Sequence, residues 1–330
     1  MNIRNLLWNA ATPGSKRALP ILSFPAAQKL GVSVETLVKS SELQAKAMEL
    51  VACETETIAA VSLMDLSVEA EAFGAKVRFT EGEVPAIIGQ LVSDEDEANA
   101  LNVPDLTAGR AQLCIEAVRT AKQSITGKPV LAGMIGPYSL AGRLCDVTEI
   151  MYLCFDEPET VHTVLDKATQ YLIQYGQAMK AAGADGIMMA EPLAGILSPD
   201  MAEEFSMPYV KRIIDALQDE DFAVIYHNCG NSVPQMLEGI YAQCAAAYHF
   251  GNAVDMEAIL KATPSNILVM GNIDPAGQFA AGTVDSITTA TRTLLDKCGS
   301  YPNFVPSSGC DIPAHAKWEN IAAFFAAVNG

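Results

Sequence analysis

The residues best suited to chemistry stand at the end of Phe222-Ala-Val-Ile-Tyr-His227-Asn-Cys229-Gly-Asn231. Imidazole and thiolate are soft donors that suit zinc. In extended chain, residues two apart point the same way, so His227 and Cys229 can face one point. A catalytic zinc commonly takes three protein ligands and leaves a fourth position open. The candidate for the third is Cys310, in Phe304-Val-Pro-Ser-Ser-Gly-Cys310-Asp-Ile-Pro313. Two thiolates and a neutral imidazole would leave a bound zinc with no net charge, a poor arrangement for hydrolysis but a good one for holding a substrate thiol as its thiolate. The competing reading is structural, with Cys229 and Cys310 as buried thiols and His227 as a hydrogen-bonded core histidine. Residue types and positions alone leave the two readings open.

To bring these residues together the chain needs strands that end on one rim. Apolar runs rich in β-formers occur at residues 58–64, 129–135, Gly186–Ala190, 222–226, 245–250, 267–270 and 304–306, with a weaker candidate at 76–79. Helical stretches separate them, including 159–182 behind Pro158, then 202–217, 255–262 and 284–297. Strand and helix in alternation predict an α/β fold, a single (β/α)8 TIM barrel over residues 1–330 with residues 1–55 as a peripheral N-terminal helical segment. In such barrels the chemistry sits where strands end and loops lead into helices. The expected strand ends carry Asp65, Tyr138, Glu191, His227, Cys229, His249, Asn272 and Cys310. Cys310 would arrive from across the lumen only if its loop folds inward, a bend Gly309 would permit. Glu191 has three readings: a fourth ligand that substrate displaces, an acceptor for His227, or a rim carboxylate. Asp65, Tyr138, His249 and Asn272 are expected to contact substrate. His162 and His315 have no assigned role.

Composition bounds the remaining possibilities. Half the residues are hydrophobic and 18% are charged, the balance of a compact chain and the reverse of a disordered one. With 21 basic and 39 acidic residues the net charge is −18, which argues against nucleic acid and anionic membranes as partners. The first residues lack the apolar stretch of a secretory signal, so a cytoplasmic location is expected. Eight scattered cysteines are expected to be reduced, with Cys53, Cys114 and Cys154 as small core hydrophobes.

Gly309-Cys310-Asp311-Ile312-Pro313, followed by Glu319-Asn320-Ile321 and Ala323-Phe324, resembles the closing motif of the uroporphyrinogen decarboxylase superfamily, in its corrinoid-dependent methyltransferase branch. Further similar segments follow in the same order: residues 65–74, Gly136-Pro137-Tyr138-Ser139, Gly183-Ala184-Asp185-Gly186 leading to Glu191-Pro192, His227-Asn228-Cys229-Gly230, and Gly271-Asn272-Ile273-Asp274-Pro275. The resemblance implies a barrel enzyme that moves a methyl group between a methylated corrinoid (methylcobalamin type), carried by a partner corrinoid protein, and a small thiol such as coenzyme M. It also implies zinc on His227, Cys229 and Cys310. The decarboxylase branch lacks that donor set and uses N-terminal arginines, of which this chain has only Arg4 and Arg17 in its first seventy residues. The chain departs from the family pattern at Ala314-His315-Ala316-Lys317-Trp318, where Thr-Pro usually precedes Glu-Asn. An anionic thiol would need a cation, for which Lys317 and Arg143 are the candidates. The alternatives to methyl transfer are a zinc-free lyase acting on a carboxylated tetrapyrrole and a non-catalytic partner of a corrinoid protein.

Overall fold

Each apolar run that ends in a glycine or a polar residue becomes a strand. The computed structural model describes residues 2–330. Its strands are β1 (Ala60–Val61), β2 (Lys76–Arg78), β3 (Ala86–Ile88), β4 (Val130–Ile135), β5 (Gly186–Ala190), β6 (Ala223–Asn228), β7 (Ala247–Phe250), β8 (Val269–Ile273) and β9 (Phe304–Ser308). Seven of them form one parallel sheet in the order β1-β4-β5-β6-β7-β8-β9. Its strands are buried on both faces, which is why they read as near-continuous hydrophobic runs and not as alternating ones. On one side, Val61, Leu131, Met188, Ile225, Met270 and Val305 pack together with Leu19 and Ile21. On the other, helices such as Pro158–Ala181 bury Val161, Leu165, Leu172 and Tyr175.

Three expectations are corrected. The weak strand at 76–79 exists as β2, but it pairs antiparallel with β3 in a separate two-stranded sheet and is largely exposed. The helix expected over 202–217 is two, Pro199–Phe205 and Met207–Leu217, because Pro208 bars Met207 from continuing the first. The N-terminal 55 residues are not peripheral. Ala18, Leu19, Ile21, Leu22 and Phe24 are fully buried, and the helix Ile3–Ala10 packs Ile3 and Leu7 into the same cluster as the sheet residues just named.

Segment 18–21 bonds to β9 on one side and to Ile58, just before β1, on the other. Leu19 N donates to Pro306 O at 3.1 Å, and Ile58 N to Ala18 O at 3.1 Å. A regular ladder fails there because Pro20 has no N–H, and serine side chains substitute for backbone partners. Ser307 Oγ donates to Leu19 O at 2.6 Å, and Ile21 N donates to Ser308 Oγ at 3.0 Å. Below this seam Lys16 donates to the carbonyls of Ala11, Tyr301 and Phe304, with burial pushing its ammonium down to about 8.

Candidate metal centre

Parallel register places the first ligand. His227 is one residue from the end of β6, between Ala190 of β5 and His249 of β7. Cys229 follows just past the strand end, and Cys310 lies two residues beyond the end of β9. One ring nitrogen of His227 and the two thiol sulfurs all lie within 4.8 Å of one another. Gly309 makes the inward turn that delivers Cys310: its N–H donates to Ile273 O at 2.6 Å, and a Cβ there would sit 2.7 Å from Asn252 N. Its service is close approach and not a left-handed backbone. Gly251 does the same for the other thiol, since a Cβ there would lie 2.6 Å from Cys229 Cβ.

The two thiols shift each other in opposite directions. Cys310 against Cys229 holds the Cys229 thiol well below its ordinary range, against the opposing effect of burial. The same contact, with burial, pushes Cys310 far above it. His227 is buried; its Nδ1 faces His249 and its Nε2 has no partner. A buried nitrogen without a hydrogen bond is costly unless something completes it. An orphaned imidazole nitrogen beside two thiols therefore fits a zinc ion, with no further donor needed from the chain.

Three acids beyond strand ends are raised by burial. Glu191 is fully buried, and its Oε1 accepts from Ser139 N at 2.7 Å and Ser139 Oγ at 3.1 Å, while Oε2 has no partner. Burial pushes its carboxyl up to about 8 against those bonds. Its backbone N–H donates to His227 O at 2.8 Å, but its side chain is not the acceptor for the His227 ring, a place taken by His249. Glu69 takes a bond from Ile135 N at 3.0 Å and is pushed up to about 7 by burial, also with a free Oε2. Burial likewise raises Asp311, next to Cys310.

The other rim candidates divide. His249 joins the centre: its Nδ1 is 2.8 Å from His227 Nδ1, and its Nε2 is 2.7 Å from Ser307 Oγ. Asn272 braces the loop after β7, donating to Gly251 O and Val254 O at 2.9 Å each. Asp65 is occupied by Ser67 and by the buried Arg110, which also binds Glu71 at 2.6 Å. Tyr138 points away, its hydroxyl 3.2 Å from Met151 Sδ. Lys317 is exposed and donates to Gly282 O at 3.0 Å. Arg143 is half-buried with Glu69 and Asp65 nearby, and its Nε has no partner. His162 bonds Tyr209 at 2.7 Å and His315 is exposed. Cys53 is exposed and not core, Cys114 is half-buried and Cys154 buried. Sequence reading passed over Ser139, Ser307 and Glu69; a serine or glutamate next to a strand end was the only sign of them.

Curated proteins similar to this chain in sequence come from two branches. Methylcobamide:CoM methyltransferase MtbA of Methanosarcina acetivorans is 28% identical over 240 residues, 70% of this chain and 69% of that protein. Uroporphyrinogen decarboxylase of Psychromonas ingrahamii is 29% identical over 287 residues, 82% of this chain and 78% of that one. A solved methyltransferase from Methanosarcina mazei has the same fold, with a TM-score of 0.88 at 23% identity over 99% of this chain and 97% of that one. A sequence profile for uroporphyrinogen decarboxylase (URO-D) matches residues 17–330, from the segment beside β9 through to the last helix, and the chain is a member of that family.

Proposed function

We propose that the protein is a zinc methyltransferase that takes a methyl group from a methylated corrinoid, delivered by a separate corrinoid protein, and gives it to a small thiol such as the CoM named for its relatives. In this reading the chain is one barrel domain closed by segment 18–21. One observation carries the functional reading: Cys229, Cys310 and the unpartnered Nε2 of His227 converge on a single point. Zinc held there would supply a neutral site at which an acceptor thiol binds as its thiolate.

The chain's own residues do the rest. Both thiols would hold a metal as thiolates, and Cys310, raised by the thiol beside it, would release its proton on binding. Glu191, whose carboxyl burial raises to about 8, adds less of the charge that would repel an incoming thiolate than an ordinary glutamate would. Glu191 also presents a free Oε2 while Ser139 fixes its other oxygen. The acceptor sulfur bonds to the methyl carbon, and the electron pair of the carbon–cobalt bond stays with the corrinoid. Relatives of both branches are 28–29% identical to this chain, and the donor set of His227, Cys229 and Cys310 supports methyl transfer over decarboxylation.

Metal analysis of protein purified without chelator tests the reading. Stoichiometric zinc that disappears in Cys310→Ser, together with thiol-dependent appearance of cob(I)alamin absorbance from free methylcobalamin, is expected. Wild-type protein without zinc, or no demethylation across a panel of thiols, overturns it.

A further inference from the structure

His249 stands edge-on to His227, ring centroids 4.7 Å apart and Nδ1 atoms 2.8 Å apart. Two nitrogens at that distance need one proton between them, and the groups beyond His249 decide which ring owns it. Ser307 Oγ is 2.6 Å from Leu19 O. A carbonyl only accepts, so the single hydroxyl proton points to Leu19. Ser307 must then accept from His249 Nε2, 2.7 Å away, and that nitrogen carries a hydrogen. His249 is fully buried and bonds no carboxylate, so it is neutral and its Nδ1 is a lone pair. The proton between the rings therefore sits on His227 Nδ1, which also leans toward His249 O at 3.2 Å.

We propose that Leu19, Ser307 and His249 form a positioning relay that fixes His227 as its Nδ1–H tautomer and presents the Nε2 lone pair to Cys229 and Cys310. The relay is anchored in the backbone: Leu19 N is held by Pro306 O, and Pro20 confines Leu19 to extended conformations. Histidines that bind metals often rest on a carboxylate. Here a neutral imidazole takes that place, so orienting the ligand adds no charge to a centre with two thiolates. The effect on metal binding rests on the function proposed above; the tautomer does not.

Nitrogen-15 NMR of metal-free, full-length protein labelled at histidine tests the tautomer directly. His227 is expected with Nδ1 protonated and Nε2 bare. Ser307→Ala should convert this signal to a mixture, and Ser307→Thr, which keeps the hydroxyl, should restore it. Zinc competition against a chromophoric chelator should show affinity falling about 10- to 100-fold in Ser307→Ala and in His249→Phe, and nearly unchanged in Ser307→Thr. If His249→Phe does not fold, Ser307→Ala decides. A protonated Nε2 in wild type overturns the relay, as does a Ser307→Ala protein with unchanged tautomer and zinc affinity. Wild type that takes no zinc overturns the proposed function instead, and the NMR result alone then decides the relay.

Discussion

Glu191 shows what a single buried side chain costs and offers. A carboxyl raised to about 8 in the folded protein, from an ordinary value near 4.5, binds its proton more tightly folded than unfolded. Its contribution to stability is fully present below about pH 4.5 and is lost as pH rises through about 8. Glu191→Gln keeps the shape and removes the titration. Thermal melts should show the variant on the order of 1 kcal/mol or more above wild type at pH 9, several degrees in Tm, and level with it at pH 5. Equal melts at both pH values would exclude a buried, titrating Glu191. Cys310→Ser should act in the opposite register: bound zinc lost, with metal-free stability within about 1 kcal/mol of wild type, because the residue is only half-buried. At this scale the convergence of His227, Cys229 and Cys310 was legible because histidine and cysteine are rare and soft and strand ends fix their direction. Tyr138 and Asp65 were not, since a residue entering a helix or a loop can turn away from the rim; Tyr138 turned to Met151 and Asp65 to Arg110.

Among the elements, β6 and β9 matter most, and they are not neighbours: β7 and β8 stand between them. The thiols meet because Gly309 passes against Asn252 with no room for a side chain. Gly309→Ala should therefore leave the far-ultraviolet circular dichroism unchanged while zinc affinity drops on the order of tenfold, since Cys310 is displaced and nothing else is. Unchanged affinity would mean that the loop has slack. The strand pattern of the sheet was readable from apolar runs alone. What could not be read was the partner of each run: β2 has a strand's composition, yet its neighbour is the hairpin strand β3 and not the sheet. Segment 18–21 has the converse problem. Pro20 and a length of a few residues hide a stretch that bonds to β9.

For the molecule as a whole, that segment is part of the core. Leu19, Ile21, Leu22 and Phe24 are all fully buried. At roughly 1.5–3 kcal/mol each, their burial is worth about 6–12 kcal/mol, comparable with the total stability of about 5–15 kcal/mol typical of a folded protein. Deleting residues 2–24 should abolish the cooperative thermal transition; a truncated chain that still melts sharply would show the segment to be dispensable. The family membership explains why so much was legible at this level, and the acidic surface why little more was: a net charge of −18 excludes partners more readily than it names them.

The bond between Ser307 and Leu19 joins residues 288 positions apart. At typical rates of synthesis, about 5–20 residues per second, roughly 15 to 60 seconds pass between the emergence of the two. Through that interval Leu19 and Ile21 lack their β9 partners, and His227 and Cys229 lack Cys310. The seam and the candidate metal site are then completed by the same short stretch of nascent chain, residues 306–310, so a ribosome that stalls before it leaves a product with neither. Metal retention would thus report that translation had reached the final strand.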